Sequence, residues 1–478
     1  MYLVLILVSV IVLLCIFTSN ALYRFGVPSL LIFLLFGIIM SPDGLGRLII
    51  VDFDVAENIA SFALILIMFY GGFGTSWRTA KPMAVRAGLM SSLGTVLTAF
   101  IIGFLSSLVF KVPFIYGLLF GSVVGSTDAA SVFSILRSRK LNLKGGLAPL
   151  LEVESGSNDP FSYMLTIITI SAIQMQGSGL SFVGVAVAIT QQIGMAVGIG
   201  AAVSVLTVLL LKRLHLEVTE FYPLLLFAIV LLSYSLTGVT GGNGYLCVYI
   251  LGIVVGNNQF LHKISTVHFF DSFSWLMQIL LFFILGLLSS PAMLSHVVIP
   301  GMLLSFLLIV VARPIATFCI LSWFKTPIKQ QMLVSWVGLR GAASIAFAII
   351  STKALGGSLP YDLFHLVFFV ALFSVSIQGS LTPFLARKLD LVDTDADNSV
   401  MKTFTDYFEE THTQLFEYKV SSDDKLQGKR IVDSNIPEDV LIVMIKRNNE
   451  IVMPKGSIKL LADDVLVLSG EDFSFFSG

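Results

Sequence analysis

The length of the uninterrupted apolar runs constrains this chain more than any other feature. Bounded by charge, Gly and Pro, the runs mark about thirteen candidate helices, at residues 2–22, 27–41, 56–74, 83–110, 114–138, 148–174, 180–212, 221–239, 244–257, 271–289, 296–324, 330–353 and 361–388. An α-helix needs about 20 apolar residues to cross a bilayer. Only 12% of the 478 residues are charged, and the mean hydropathy is +0.91. Roughly a quarter of a soluble globular chain is charged, so this chain cannot cover a water-facing surface of its size. The expected fold is an all-α polytopic membrane protein. The run Met1 to Phe17 has neither a basic leader nor a small-residue cleavage site, and reads as the first membrane helix rather than a removable signal. Cys15, Cys247 and Cys319 all fall inside apolar runs and read as packing residues, not as a disulfide framework.

The basic residues order these spans. With the N-terminus outside, the inward segments carry Arg24; Arg78, Lys81 and Arg86; Arg137, Arg139, Lys140 and Lys144; Lys212 and Arg213; Lys263; Lys325 and Lys329; Arg387 and Lys388. The outward segments carry only Arg47, Lys111 and Lys353. Basic residues near helix ends stay on the cytoplasmic side, so the asymmetry favours an odd number of spans and a cytoplasmic C-terminus in a cell membrane. Thirteen spans divide as six, one and six, which would relate two halves with inverted topology and place a site at their interface.

Hydrophobicity collapses after Arg387. Three domains are expected: a membrane domain at 1–388, an acidic linker at 389–412 and a small α+β cytoplasmic domain at 413–478. In the last, 415–420, 440–446, 450–453 and 464–468 read as strands and Asp424–Ser434 as a short helix. About 65 residues make a small core, which a dimer would stabilise. The net charge of -1 gives no basic field for nucleic acid.

Six ionisable residues lie deep in the apolar runs: Asp128, Glu152, Glu154, Asp159, Arg313 and Arg340. Each costs about 2.5–3.5 kcal/mol even on a lenient insertion scale, which makes each a functional candidate. Around Glu154-Ser155-Gly156-Ser157-Asn158-Asp159-Pro160, helical spacing sets Glu154 above Asn158 and Ser155 above Asp159. A carboxylate, a hydroxyl and an amide carbonyl converge there, as a hard alkali cation requires, and Pro160 frees a backbone carbonyl near residue 156. Glu152 lies on the opposite side of the helix and reads as structural. In Gly125-Ser126-Thr127-Asp128 the glycine and hydroxyl residues favour a local break, exposing carbonyls and half-helix ends beside Asp128. Arg313, before Pro314, is the favoured partner of Glu154, which leaves Asp159 free to titrate. Arg340, in Gly338-Leu339-Arg340-Gly341, would line the cytoplasmic entrance or meet helix-end carbonyls at a second break.

Four motifs in order, Gly125–Asp128, Glu154–Pro160, Ala312-Arg313-Pro314 and Gly338–Gly341, resemble the monovalent cation:proton antiporters of the NhaP-like branch. The resemblance implies thirteen helices with inverted six-helix repeats, two crossed broken helices, and a homodimer that slides its core through the membrane. Carried over by position, Asp159 and Asp128 bind the alkali cation or proton, Thr127, Ser155 and Asn158 complete the site, and Glu154 with Arg313 forms a structural pair. Asn158 stands where electrogenic relatives have an aspartate, which implies one-for-one exchange. Phe69-Tyr70-Gly71-Gly72-Phe73 lacks the acid that several sodium-selective relatives carry after Gly-Gly, which favours potassium over sodium. The tail is similar to the RCK_C (TrkA-C) domain, which implies dimerisation and a regulatory ligand such as cyclic di-AMP near Val440 and Pro454; no resident cofactor is implied.

Two other classes fit poorly. A channel would want a TVGYG-like filter or rings of charge, and neither is present. An intramembrane aspartyl protease would want Gly-X-Gly-Asp, but Gly72-Phe73-Gly74 is followed by Thr75. A transporter, not an enzyme, is expected.

Overall fold

The computed structural model describes residues 13, 30–42, 52–139, 141–175, 182–214, 216, 218–392, 414–420, 426–434, 436–437, 440–447 and 450–470. All but residue 13 of the first expected span, most of the acidic linker and Cys15 lie outside them. The chain divides into two compact units, Met1–Met401 and Lys402–Gly478.

The first unit is helical. Its longer described helices are α1 (Leu30–Ile39), α2 (Phe53–Gly74), α3 (Lys81–Phe110), α4 (Phe114–Val123), α5 (Ala129–Ser138), α6 (Leu147–Gln174), α7 (Phe182–Arg213), α8 (Phe221–Val239), α9 (Gly244–Gly256), α10 (Lys263–Leu287), α11 (Met293–Phe324), α12 (Ile328–Trp336), α13 (Ala342–Leu355) and α14 (Leu363–Lys388). Seven of these are long and apolar enough to cross a membrane, so the protein is a multi-pass membrane protein.

Glycines let some helices approach backbone to backbone. A Cβ on Gly72 would lie 2.3 Å from the Tyr249 carbonyl oxygen, and one on Gly252 would lie 2.3 Å from that of Phe69, which presses α2 onto α9. Phe73, the residue after Gly-Gly, is 2% exposed and stacks on Phe69 with ring centroids 5.4 Å apart. The motif is therefore a packing device here. Lys263, read from the sequence as a loop residue, opens α10 instead. Its Nζ donates to the carbonyls of Gly256 and Asn258 and closes the C-terminal end of α9. Cys247 is buried as expected, but Cys319 lies exposed on its helix.

Two apolar runs that read as single spans are each interrupted. One stops at Val123 and resumes at Ala129; the other stops at Trp336 and resumes at Ala342. Three long helices instead carry a wide π turn: Met90–Gly94 in α3, Leu307–Ala312 in α11 and Ser374–Gly379 in α14. The second comes directly before Arg313-Pro314, where proline removes a backbone donor and the helix must widen or kink.

The second unit is a four-stranded antiparallel sheet with order β1-β4-β2-β3: β1 (Gln414–Lys419), β2 (Leu441–Arg447), β3 (Glu450–Val452) and β4 (Val465–Gly470). The short helix expected at Asp424–Ser434 does not form among its described residues. Gly428 takes φ +75, its N–H goes to Leu460 and the Leu460 N–H returns to Lys429. Pairing with another segment wins over helix, and only the 3-10 turn Ile431–Asp433 remains.

Candidate functional site

The two interruptions meet. The Asp128 N–H donates to the Leu339 carbonyl at 2.8 Å, and a Cβ on Gly341 would sit 2.3 Å from Asp128 Oδ2, so only glycine allows this approach. Each break leaves helix-end groups without intrahelical partners, and charged side chains answer them. Arg340 Nη1 donates to the carbonyls of Gly125, at 2.8 Å, and Ser126, at 2.5 Å, just past the end of α4. Asp128 caps the start of α5, accepting from the Ser131 N–H at 3.2 Å and Oγ at 2.6 Å. A cation faces the negative end of one half-helix and an anion the positive end of the next. Of the two places expected for Arg340, the one beside helix-end carbonyls is the one observed.

The unbroken helix α6 lies against this crossing. Glu154 and Arg313 are each 1% exposed, and Arg313 Nη2 donates to Glu154 Oε1 at 2.9 Å. Asp159, 6% exposed, receives the Ser126 hydroxyl in a short hydrogen bond. Among the described residues no basic side chain forms a salt bridge with it. The Thr127 backbone is gripped from α6 on both sides: its N–H donates to Asn158 Oδ1 at 3.2 Å and its carbonyl accepts from Ser155 Oγ at 2.6 Å. Asn158 Nδ2 donates to Thr127 Oγ1 and, at 3.3 Å, to Glu154 Oε1.

The structure thus brings Thr127, Ser155, Asn158 and Asp159 into one cluster, with Asp128 on the adjoining half-helix end. Several roles differ from the expectation. The Ser155 hydroxyl bonds the Thr127 carbonyl rather than Asp159. Both faces of the Asn158 amide are occupied as a bridge between Thr127 and Glu154. Asp128 holds the start of α5. The oxygen that meets Asp159 is the Ser126 hydroxyl, a neutral group supplied from inside the first break.

The sequence places Ser126 in the break but not at Asp159, although its position next to Thr127 is the available signal. Nor does it single out Asn243, whose Nδ2 donates to the Pro160 carbonyl at 2.8 Å while its Oδ1 caps α9. In the second unit, Val440 is 7% exposed and belongs to the sheet's core, among Val420, Leu426, Ile442 and Leu468. Its side chain is therefore closed to a ligand, and Pro454 is half-buried beyond β3.

Residues 8–388 match the transmembrane sodium/hydrogen exchanger family, and residues 415–472 match the TrkA-C domain. The chain belongs to the sodium/hydrogen exchanger family. It is 32% identical over 455 residues to the K(+)/H(+) antiporter NhaP2 of Shewanella baltica, an alignment covering 94% of this chain and 78% of that one. It is 33% identical over 450 residues to the K(+)/H(+) antiporter NhaP of Alkalimonas amylolytica, covering 93% and 77%. The sodium proton antiporter MjNhaP1 of Methanocaldococcus jannaschii has a similar fold, with a TM-score of 0.70, 23% identity, and coverage of 81% of this chain and 99% of that one. Membership makes this exchanger a monovalent cation:proton antiporter with a TrkA-C tail.

Proposed function

We propose that this antiporter exchanges K+ for H+ one-for-one, with cation and proton competing for Asp159. The carrying observation is the contrast within α6: Glu154 is neutralised by Arg313, whereas Asp159 has a hydroxyl and, among the described residues, no salt-bridge partner. A buried carboxylate without a counter-charge is costly, so the loaded forms, protonated or cation-bound, are those that cross. The bare anion stays behind, which couples the two flows. Asn158 adds no second titratable group, in keeping with electroneutral turnover. The names of the relatives favour potassium.

The wider assembly follows the same reading: thirteen spans in inverted six-helix repeats, the N-terminus outside, a homodimer, and a cytoplasmic tail that regulates exchange. The proposed domain boundaries are 1–388, 389–412 and 413–478.

The test is exchange in sealed vesicles followed by a pH-sensitive dye, with K+, Na+ and Li+ in turn and the membrane potential clamped at several values. Potassium should give the largest response at the lowest concentration, and the rate should not follow the potential. A response to sodium and lithium but not potassium would overturn the cation assignment, and a voltage-dependent rate the stoichiometry. Removing residues 413–478 should change the rate without changing the ion preference.

A further inference from the structure

The polar residues of α14 take no part in the exchange reading, yet they face the second break. That break leaves the Trp336 carbonyl at the open end of α12, and the Gly338 carbonyl and the Arg340 N–H outside any helix. Gln378, 1% exposed, donates from Nε2 to the Trp336 carbonyl in a short bond and to that of Gly338 at 3.5 Å. Two carbonyl partners fix the amide's orientation, because only the nitrogen can donate. Its Oε1 then accepts from Ser374 Oγ at 2.8 Å, and Ser374 Oγ in turn accepts the Arg340 N–H at 2.8 Å. Trp336 Nε1 closes the ring by donating to the Gln378 carbonyl at 3.1 Å. Both side chains stand in the π turn Ser374–Gly379, a kind of widening found often at functional sites.

We infer that Ser374 and Gln378 are positioning residues that set the cation affinity of the site by fixing the second break and, through it, Arg340. The line of contact runs from Gln378 and Ser374 to Arg340, then to the Gly125 and Ser126 carbonyls, and so to the hydroxyl that meets Asp159. Loosening the break would release the Gly125 and Ser126 carbonyls from Arg340 and displace the Ser126 hydroxyl that meets Asp159. Asp159 would stay in place, because α6 is not interrupted. Cation binding needs neutral oxygens beside the carboxylate, whereas proton binding needs the carboxylate alone. The loss should therefore fall on the KM for the cation.

The inference rests on the exchange reading, and the same vesicle assay separates the two. Gln378→Met keeps the length of the side chain but cannot hydrogen-bond, and Ser374→Ala removes one link with less disturbance of packing. Each should raise the cation KM about tenfold, the order expected for losing a buried hydrogen bond, while Vmax per folded protein stays within about twofold. Ser374→Thr, which keeps the hydroxyl, should restore the KM. A purely structural role predicts the opposite pattern: Vmax falls with the folded fraction and KM does not move. That pattern, or an unchanged KM in Ser374→Ala, overturns the inference. If the unaltered protein shows no cation-dependent proton flux, the exchange reading fails first.

Discussion

Glu154 and Asp159 lie on one helix, little more than a turn apart, both nearly sealed from solvent, and they are compensated in opposite ways. Glu154 has a permanent counter-charge in Arg313 and an amide from Asn158. Asp159 has one hydroxyl, from Ser126 inside an interrupted helix. On the proposed exchange reading, the difference teaches how a membrane protein divides its buried charge: a fixed pair holds helices together, and an unfixed carboxylate is left for mobile ions to neutralise. Asp159→Asn removes the mobile half and should give the largest effect. Cation-dependent proton flux should vanish in vesicles while the protein still folds, because a neutral amide can keep the Ser126 contact. Flux persisting in that variant would break the comparison at once.

The fixed half makes the next largest prediction. Arg313→Met should strip Glu154 of its partner and cost about 3–5 kcal/mol, the price of leaving one member of a buried pair uncompensated. Glu154→Gln/Arg313→Met, which removes both charges, should recover much of that loss. Thermal unfolding in detergent reads both. Equal losses in the single and double variants would show that packing, not charge, makes the pair matter.

Asn158 sits between the two carboxylates and sharpens the contrast. By a count of titratable groups alone, Asn158→Asp converts the site to electrogenic exchange. The geometry predicts otherwise, because the amide nitrogen donates to Glu154 and Thr127 and a carboxylate would repel the first and lose the second. A destabilisation of about 2–3 kcal/mol and a fall in flux are expected, with no new dependence on membrane potential. A voltage-sensitive rate in this variant would favour the count over the contacts.

How much of this was legible follows the range of each interaction. The membrane class and most span positions come from hydropathy runs, which are local. The Glu154 to Asn158 contact came from helical spacing, also local. The depth of the breaks at 124–128 and 337–341 was not legible, because it depends on Arg340 reaching carbonyls more than 200 positions away. Ser374 and Gln378 were passed over for the same reason: in an apolar run they look like incidental polar residues until the second break is placed beside them. In the tail the strands were visible as β-branched runs. The helix at 424–434 was misread because the pairing of Gly428 and Lys429 with Leu460 is not a local signal.

The smallest effect tests the comparison outside the membrane, where water is near. In the second unit, Asp464 is nearly buried and takes two bonds from Arg447 at 2.7 Å and one from the Leu461 N–H at 2.8 Å. Burial alone would raise its carboxyl, but the Arg447 bonds, the Leu461 N–H and the Arg447 charge outweigh it and hold the group below the usual carboxylate range. A depressed folded value means that the carboxylate stabilises the fold above its unfolded value of about 3.9 and loses that contribution as pH falls through the lower, folded value. Asp464→Asn should therefore cost about 2 kcal/mol near neutrality and much less in strong acid, where the native carboxyl is itself protonated. Amide exchange along β4 of the full-length protein, at pH 7 and again in acid strong enough to protonate the native carboxyl, reads the difference. An equal loss at both pH values would mean that the Arg447 contact acts through shape rather than charge. In that case the fixed pair in the membrane, which has the same chemistry with less water around it, would have to be tested for the same.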